Sequence, residues 1–159
     1  MQNVSSGLTV RPAEQVDNTF RSERVSDATG VIPESHADIL DQKVLAHVAT
    51  IGPDGEPQNN PVWFDHQDGY IRFSQTTTRQ KVRNLERDPR VAISIVDENN
   101  PYRYLEIRGT VERIDPDPDK AFINSMAKKY HDQDVYEGSP PSETRVVVVV
   151  RPEHTTKMG

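Results

Sequence analysis

The sequence contains no cysteine. Without thiols the chain cannot form disulfides, thiolate metal sites or iron–sulfur clusters, and it cannot use a cysteine nucleophile. Hydrophobic residues make up only 33% of the 159 positions, and aromatic residues 6%, which indicates that part of the chain does not join the core. No apolar run approaches the roughly 18 residues of a membrane span, and the N-terminus lacks the order of a signal peptide. We therefore expect a soluble, cytoplasmic protein.

Positively charged residues are fewer than negatively charged ones, and they are unevenly distributed along the chain. The formal net charge is −6, from 25 Asp and Glu against 19 Lys and Arg. A chain this acidic is expected to repel nucleic-acid phosphates and anionic membranes, so neither is an expected partner. Residues 74–90 nevertheless carry a net charge of +3. Because the whole chain carries −6, the rest of the chain carries −9. Any site for an anion is therefore expected in this segment.

The length fits one domain with an appendage. Residues 1–30 show neither strand nor helix periodicity and are predicted to form a flexible N-terminal arm. The alternative is that the arm folds over a binding groove or a partner subunit. Residues 31–159 are predicted to form the domain.

Six segments of the domain have the β-rich composition and turn-bounded ends of strands. They are 44–51, 57–64, 70–74, 90–96, 102–114 and 145–151, and short helices are predicted at 37–40, 79–87 and 116–130. Helices at irregular places between strands favour a closed or partly open six-stranded antiparallel barrel, mainly β within the α+β class, over a sandwich. Gly109 predicts a bulge or bend in the longest strand. The five valines Val146–Val150 predict a strand buried on both faces, which a second subunit covers more easily, so a homodimer is expected.

Hydroxyl and cationic side chains cluster where a strand gives way to a helix. They are Ser74, Thr76, Thr77, Thr78, Arg79 and Lys81. Free backbone N–H groups, the helix dipole and cations within one turn are suited to binding a phosphate. The alternative is structural: Thr78 caps the helix, and Arg79, Arg83 and Arg87, spaced by four, form one solvated face. Spacing alone leaves both interpretations open.

Other chemistry in the chain is sparse. Trp63 and Tyr104 either stack on a planar ligand or belong to a core or interface. The amides of Gln58, Asn59 and Asn60 either bond the edge of a ring or face water. The five histidines lack metal-ligand spacing, so no metal site is expected. No nucleophilic-serine, P-loop or dinucleotide-binding motif occurs, and the catalytic residues stay unassigned.

Two motifs resemble a known family. The segment DGEPQNNPVWF at 54–64 and the pattern T-x-R-x-K-x-x-N-L-x-x-D-P-R at 77–90 are similar to the pyridoxamine 5′-phosphate oxidase-like split β-barrel family. Within it, the chain most resembles the branch of actinobacterial oxidoreductases that use the deazaflavin coenzyme F420. The FMN oxidases carry an Arg and a Lys where this chain has residues 60–64, and their C-terminal Trp and Arg have no counterpart in residues 146–159.

The resemblance implies a homodimer with two cofactor grooves at the subunit interface. It implies that Arg79 and Lys81 hold the cofactor phosphate with Ser74, Thr76 and Thr77 nearby. The deazaflavin ring would lie beside the strand that contains Gln58, Asn60, Pro61, Val62 and Trp63. Tyr102 or Tyr104, of which we select Tyr104, would come from the other subunit.

The resulting hypothesis is an F420-dependent reductase that transfers a hydride to an unsaturated small molecule. One alternative keeps the fold and replaces F420 with FMN. Another is a non-catalytic binder of a planar ligand such as a flavin, haem or tetrapyrrole. Nucleic-acid binding ranks last because of the net charge.

Overall fold

The computed structural model describes residues 30–159. The predicted arm therefore falls, except for Gly30, outside the described residues. Within 30–159, no helix is both long enough and apolar enough to cross a membrane.

In the described part of the chain, seven antiparallel strands form a single sheet, accompanied by three short helices. The elements are a 3₁₀ helix (Glu34–Asp41), β1 (Ala46–Ile51), β2 (Pro57–Val62), β3 (Asp65–Gln67), β4 (Tyr70–Thr76), α1 (Gln80–Arg87), β5 (Arg90–Asp97), β6 (Asn100–Pro116), α2 (Ala121–His131) and β7 (Arg145–Met158). The strand order is β2-β1-β5-β6-β7-β4-β3. The prediction of a mainly β, antiparallel fold is confirmed.

The sheet curls but does not close. Its two edge strands, β2 and β3, are consecutive in the chain, and only Trp63 and Phe64 link them. The sheet must therefore bend until its edges approach each other, although no strand hydrogen bonds join β2 to β3. This unbonded seam between the edges positions the site described below.

The predicted count of six strands is wrong, because β3 was interpreted as part of a turn. Asp65–Gln67 is polar and gives no strand pattern, yet it pairs with β4 through a two-residue turn. Asp68 and Gly69 in that turn have φ of 52° and 81°, the left-handed pair that suits a tight hairpin. Arg72 stabilises the pairing because its Nε donates to Asp65 Oδ1 at 2.9 Å and its Nη2 to Oδ2 at 2.5 Å.

Two other elements differ from their predicted limits. β7 continues past Arg151 to Met158 because its polar second half pairs with β6, which the alternation of residues does not reveal. α2 begins at Ala121 rather than Pro116, because β6 runs on to Pro116 and a turn follows. The Asp117 carboxylate accepts the N–H of Phe122 at 3.2 Å and so fixes the start of α2.

The valine strand is buried on both faces, as predicted. Val148 and Val150 face the main core of the curled sheet, whereas Val147 and Val149 pack against the apolar face of α2. All five valines are buried within one chain, each at 9% exposure or less. A second subunit is therefore not needed to cover them, and the case for a homodimer rests on other residues.

Gly109 lies opposite a bulge in β7 and not at one in β6 as predicted. Arg108 pairs with His154 and Gly109 with Pro152, so Glu153 of β7 is the extra residue. The register with β7 shifts between Arg108 and Gly109. A Cβ added at Gly109 would lie 2.2 Å from the carbonyl oxygen of Arg151. Only a residue without a side chain permits this close approach of two strands.

Candidate functional site

A cleft of about 470 Å³ lies along the seam of the sheet. Strands β2 and β4 and the start of α1 form most of its lining, and α2 and the loop after it complete one side. Nine of the eleven residues selected from the sequence line it: Gln58, Asn60, Pro61, Val62, Trp63, Ser74, Thr76, Arg79 and Lys81. The structure thus brings the two sequence motifs together in one cavity.

Two selected residues, Thr77 and Tyr104, do not line this cleft. Thr77 is exposed, and its backbone N–H donates to the carbonyl of Thr144 at 3.1 Å. Tyr104 lies on β6, where it pairs with Val96 on one side and Met158 on the other. Within a single chain neither side chain belongs to the cavity.

Lys81 supplies the most unusual charge in the cleft. Its side chain is only 4% exposed, and its Nζ lies 5.9 Å from the centre of the Phe73 ring. Burial and, to a smaller extent, the charge of the nearby Arg79 lower the pKa of Lys81 to about 8. Among residues 30–159, no carboxylate forms an ion pair with Lys81 (the pairs found involve other cations). A buried cation without a partner is costly unless an anion joins it.

The start of α1 lies beside Lys81. Arg79 is the N-cap residue, with extended backbone (φ −74°, ψ 141°), and no side chain caps the helix. The prediction that Thr78 caps it is therefore wrong: the Thr78 hydroxyl lies 3.4 Å from that of Thr76 instead. Within residues 30–159, the backbone N–H groups of Gln80 and Lys81 have no partner and stay available to a ligand, whereas that of Val82 donates to the Arg79 carbonyl at 3.1 Å. The dipole of the helix favours an anion there.

Arg145, which the sequence analysis missed, adds a second buried cation. The residue is 8% exposed, and its Nη1 donates to the Ser74 hydroxyl at 3.2 Å. Unlike Lys81, it has a carboxylate partner, Glu143, at 3.2 Å, and its guanidinium packs 5.0 Å from the centre of the Tyr136 ring. One sequence feature could have pointed to Arg145, because it is a lone cation directly before the five valines. Its position near Ser74 follows from the pairing of β7 with β4.

An aromatic cluster forms the other end of the cleft. The Trp63 indole stacks on Tyr130, and Tyr136 and His131 meet it edge-on at 5.7 Å and 5.0 Å between ring centres. Trp63 and Tyr136 both line the cavity, and so does Ile123 of α2. This end is therefore suited to a flat, apolar group.

Amides line the middle of the cleft. Gln58 of β2 and Gln80 of α1 both reach it, and both are hydrogen-bonded to the buried Asn84. Gln75 of β4 also lines the cavity and, like Gln80, was not selected from the sequence. Within residues 30–159, no group of three or more His, Asp or Glu side chains is arranged to hold a metal ion.

Comparison with known proteins gives the family. The sequence profile described as Pyridoxamine 5′-phosphate oxidase matches residues 32–159, well over half of the chain. The chain belongs to the pyridoxamine 5′-phosphate oxidase family. The resemblance carried by the two motifs at 54–64 and 77–90 is thereby confirmed at the level of the family.

Solved structures of this family agree with the fold. One described as F420 Reductase is 43% identical to this chain, with a TM-score of 0.73, and the match covers 79% of this chain and 98% of that one. A conserved hypothetical protein from Mycobacterium tuberculosis is 25% identical, with a TM-score of 0.63 over 86% of this chain and 89% of that one. General Stress Protein 26 from Bacillus anthracis, at 18% identity and a TM-score of 0.57 over 76% and 88%, shares the fold alone.

Proposed function

We propose that this protein is a reductase that binds the deazaflavin coenzyme F420 in the cleft and reduces an unsaturated small molecule. When bound, reduced F420 would supply a hydride to the substrate. The protein's own residues bind and orient the two molecules and exclude water from them. This division of labour suits the cleft, because its lining residues between 30 and 159 include no carboxylate or histidine to act as acid or base.

The observation that carries the proposal is the buried, unpaired Lys81 in the cleft of a chain 43% identical to an F420 reductase. Arg79 and the free N–H groups of α1 lie beside it, so one end of the cleft is suited to a phosphate. Trp63 and Tyr136 provide an apolar wall at the other end. A ligand with an anionic group joined to a flat ring fits both ends.

The choice of F420 over FMN has two supports. One is the description of the 43% identical structure as F420 Reductase. The other is the strand at residues 60–64, where the chain has Asn-Pro-Val-Trp-Phe and so lacks the cations that the resemblance assigns to FMN oxidases.

We further propose that the protein works as a homodimer. Val96, Tyr104 and Met158 are register neighbours on β5, β6 and β7, so their side chains lie on one face of the sheet. Val96 is 37% and Met158 45% exposed, and nearby Tyr102 is 74% exposed. An apolar row of this kind is suited to contact with a second copy. Tyr104 would then lie within reach of the partner's cleft rather than its own.

Fluorescence titration of purified protein with F420 tests the cofactor. We expect saturable binding by wild type and a loss of at least about tenfold in affinity in the double variant Arg79→Ala/Lys81→Ala, because two charge-assisted contacts are removed. Arg83→Ala is the matched control, since Arg83 is exposed on the same helix and does not line the cleft. If wild type does not bind F420, or the double variant binds as well as Arg83→Ala, the assignment is wrong.

Two other outcomes would identify the alternatives. Protein that purifies yellow and releases a flavin on heating would favour FMN. Tight binding of F420 with no turnover of any electron acceptor would favour a non-catalytic binder.

Light scattering on the intact protein tests the proposed homodimer. We expect a mass of twice the 18.0 kDa of the chain.

A further inference from the structure

Asn84 is fully buried, at 0% exposure, and it links α1 to the cleft through four hydrogen bonds. Its Nδ2 donates to the Thr50 hydroxyl and to Gln58 Oε1, each at 3.1 Å. Its Oδ1 accepts from Gln80 Nε2 at 2.9 Å and from an Arg87 guanidinium N–H at 3.4 Å. The buried amide is thus fully used, and none of its atoms is left for a ligand.

Arg87 fixes which way this amide points. A guanidinium can only donate hydrogen bonds, so the atom of Asn84 that faces it must be the oxygen. Arg87 is itself held because its Nη2 donates to the carbonyl of Ile51 at 2.5 Å. The Nδ2 of Asn84 must then face β1 and β2, where it meets Thr50 and Gln58.

The orientation of Asn84 determines the orientation of the two glutamines that line the cleft. Gln58 has its oxygen engaged by Asn84, so its NH₂ group is the part left for the cavity. Gln80 is reversed: its NH₂ is engaged by Asn84, so its oxygen is left over. Within residues 30–159, the Gln58 NH₂ group and the Gln80 side-chain oxygen have no hydrogen-bond partner.

We propose that Asn84 is a positioning residue that makes Gln58 a hydrogen-bond donor and Gln80 an acceptor toward the bound molecule. The ligand must then present an acceptor atom to Gln58 and an N–H or O–H to Gln80. This deepens the proposed function and rests on it for the identity of the ligand. It also gives a role to Asn84 and Arg87, which the anion site alone does not use.

Gln58→Glu tests the donor directly, with F420 as the probe. One carboxylate oxygen can still accept from Asn84, but the other presents an acceptor where the wild type presents a donor. We expect the affinity for F420 to fall about tenfold or more, and the loss to persist at 0.5 M NaCl, where repulsion between exposed charges is largely screened. Asn59→Asp is the matched control, because it adds the same charge to the next residue, which does not line the cleft.

Asn84→Asp tests the positioning role without changing a cleft residue. The new carboxylate accepts from Gln80 and Arg87 as before, and the Thr50 hydroxyl can rotate to donate to it. Gln58 must then turn its NH₂ inward and its oxygen toward the cleft, so every group keeps a partner while the polarity at Gln58 reverses. We expect a loss of F420 affinity similar to that of Gln58→Glu. If this variant does not fold, Gln58→Glu decides the matter alone.

Side-chain amide NMR supplies a measurement on the ligand-free protein. The Gln58 NH₂ signals are identified by their absence from the Gln58→Glu spectrum. In wild type we expect both Gln58 protons to exchange rapidly with water and the Asn84 NH₂ protons to exchange slowly. In Asn84→Asp, one Gln58 proton is expected to become protected, a change that a merely structural role of Asn84 would not produce.

The outcomes separate this inference from the proposed function. If wild type binds neither F420 nor FMN but shows the expected exchange pattern, the proposed function fails and the orientation of Gln58 stands. If wild type binds F420 and Gln58→Glu binds it equally well, the donor role is overturned. Slow exchange of a Gln58 proton in wild type would overturn the orientation itself.

Discussion

The Trp63 indole stacks on the Tyr130 ring, with the ring centres 5.2 Å apart and the planes inclined by 10°. This stack joins the wall of the cleft to α2. The Tyr130 hydroxyl also donates to the carbonyl of Val44 at 2.7 Å and accepts the N–H of Phe64 at 3.2 Å. Tyr130 therefore holds the β2–β3 link against the start of β1 at the seam of the sheet. Burial raises the pKa of Tyr130 to about 12, so this hydroxyl keeps its proton at neutral pH.

The variant Tyr130→Phe is expected to keep the ring stack on Trp63 and to remove the hydrogen bonds of the Tyr130 hydroxyl. The ring remains, but Val44 and Phe64 each lose a partner, so the free energy of unfolding should fall by about 1–3 kcal/mol in urea denaturation. Because Trp63 is the sole tryptophan, its fluorescence emission maximum reports on the stack and should stay unchanged. Tyr102→Phe is the control, since Tyr102 is 74% exposed. Equal stability of the two variants would show that the Tyr130 hydroxyl contributes nothing.

Lys81 is expected to make F420 binding depend on pH. Its pKa of about 8 in the free protein means that it is charged at pH 7 and loses its proton above pH 8. Affinity should be nearly constant below about pH 7 and fall by up to about tenfold for each pH unit above 8. Lys81→Arg keeps the charge at all these pH values. The ligand's own ionisation affects both proteins, so the ratio of their affinities isolates Lys81, and a ratio independent of pH would contradict the prediction.

The same group should affect the stability of the ligand-free protein. An unfolded chain holds the Lys81 proton up to its ordinary pKa of 10.5, whereas the folded chain loses it near 8. Between these values the unfolded state binds more protons, so the free energy of unfolding rises with pH, by roughly 1–3 kcal/mol from this group. Urea denaturation at pH 7.5 and 10 measures the rise. Lys81→Met should lack it, and an equal rise in that variant would assign it to other groups.

The sequence predicted those parts of the molecule in which local pattern and tertiary environment agree. The valine run at 146–150 could only be a buried strand, and Lys81 and Arg79 lay beside hydroxyls at a helix start. β3 was missed because its three polar residues are held by the turn at Asp68 and Gly69 and by pairing with β4, which no local pattern shows.

The missed cleft residues have a common physical reason. Arg145 reaches Ser74, 71 residues away in sequence, only because β7 pairs with β4. Asn84 reaches Gln58 because α1 packs against β1, on which Thr50 is the register partner of Gln58 of β2. Such long-range contacts depend on the strand order β2-β1-β5-β6-β7-β4-β3, which the order of segments along the chain does not determine.

Gly109→Ala tests the close approach of β6 to the bulge in β7. The new methyl group would meet the Arg151 carbonyl at 2.2 Å, and both atoms belong to paired strands, so relief requires the β6–β7 pairing to shift. We expect a loss of about 1–3 kcal/mol or more in the free energy of unfolding. Arg108→Ala at the exposed neighbouring position is the control, with an expected change within about 0.5 kcal/mol. Similar values for the two variants would mean that the strands adjust freely.

Arg103→Gln is expected to alter the stability of the protein toward acid. Arg103 donates to Asp38 at 2.6 Å and also to Asp97, and so ties β6 to the 3₁₀ helix and to the end of β5. Hydrogen bonds from Arg103 lower the pKa of Asp38, and the backbone N–H of Asn99, followed by Arg103, lowers that of Asp97. Carboxylates of this kind stabilise the fold above their unfolded pKa near 3.8, and the contribution is lost as the pH falls through their lower folded pKa.

The difference in stability between wild type and Arg103→Gln should therefore be largest above about pH 5 and shrink as the pH falls below the unfolded pKa of 3.8 and the two carboxyls become protonated. Urea denaturation at pH values from 2.5 to 7 measures it. Arg113→Gln is the control, because the Arg113–Asp115 pair is at the surface, with side chains 52% and 44% exposed, and lies within one strand. Exposed pairs contribute little, so this control should follow wild type at every pH. A constant difference between Arg103→Gln and wild type across the range would show that Arg103 stabilises the fold by packing alone.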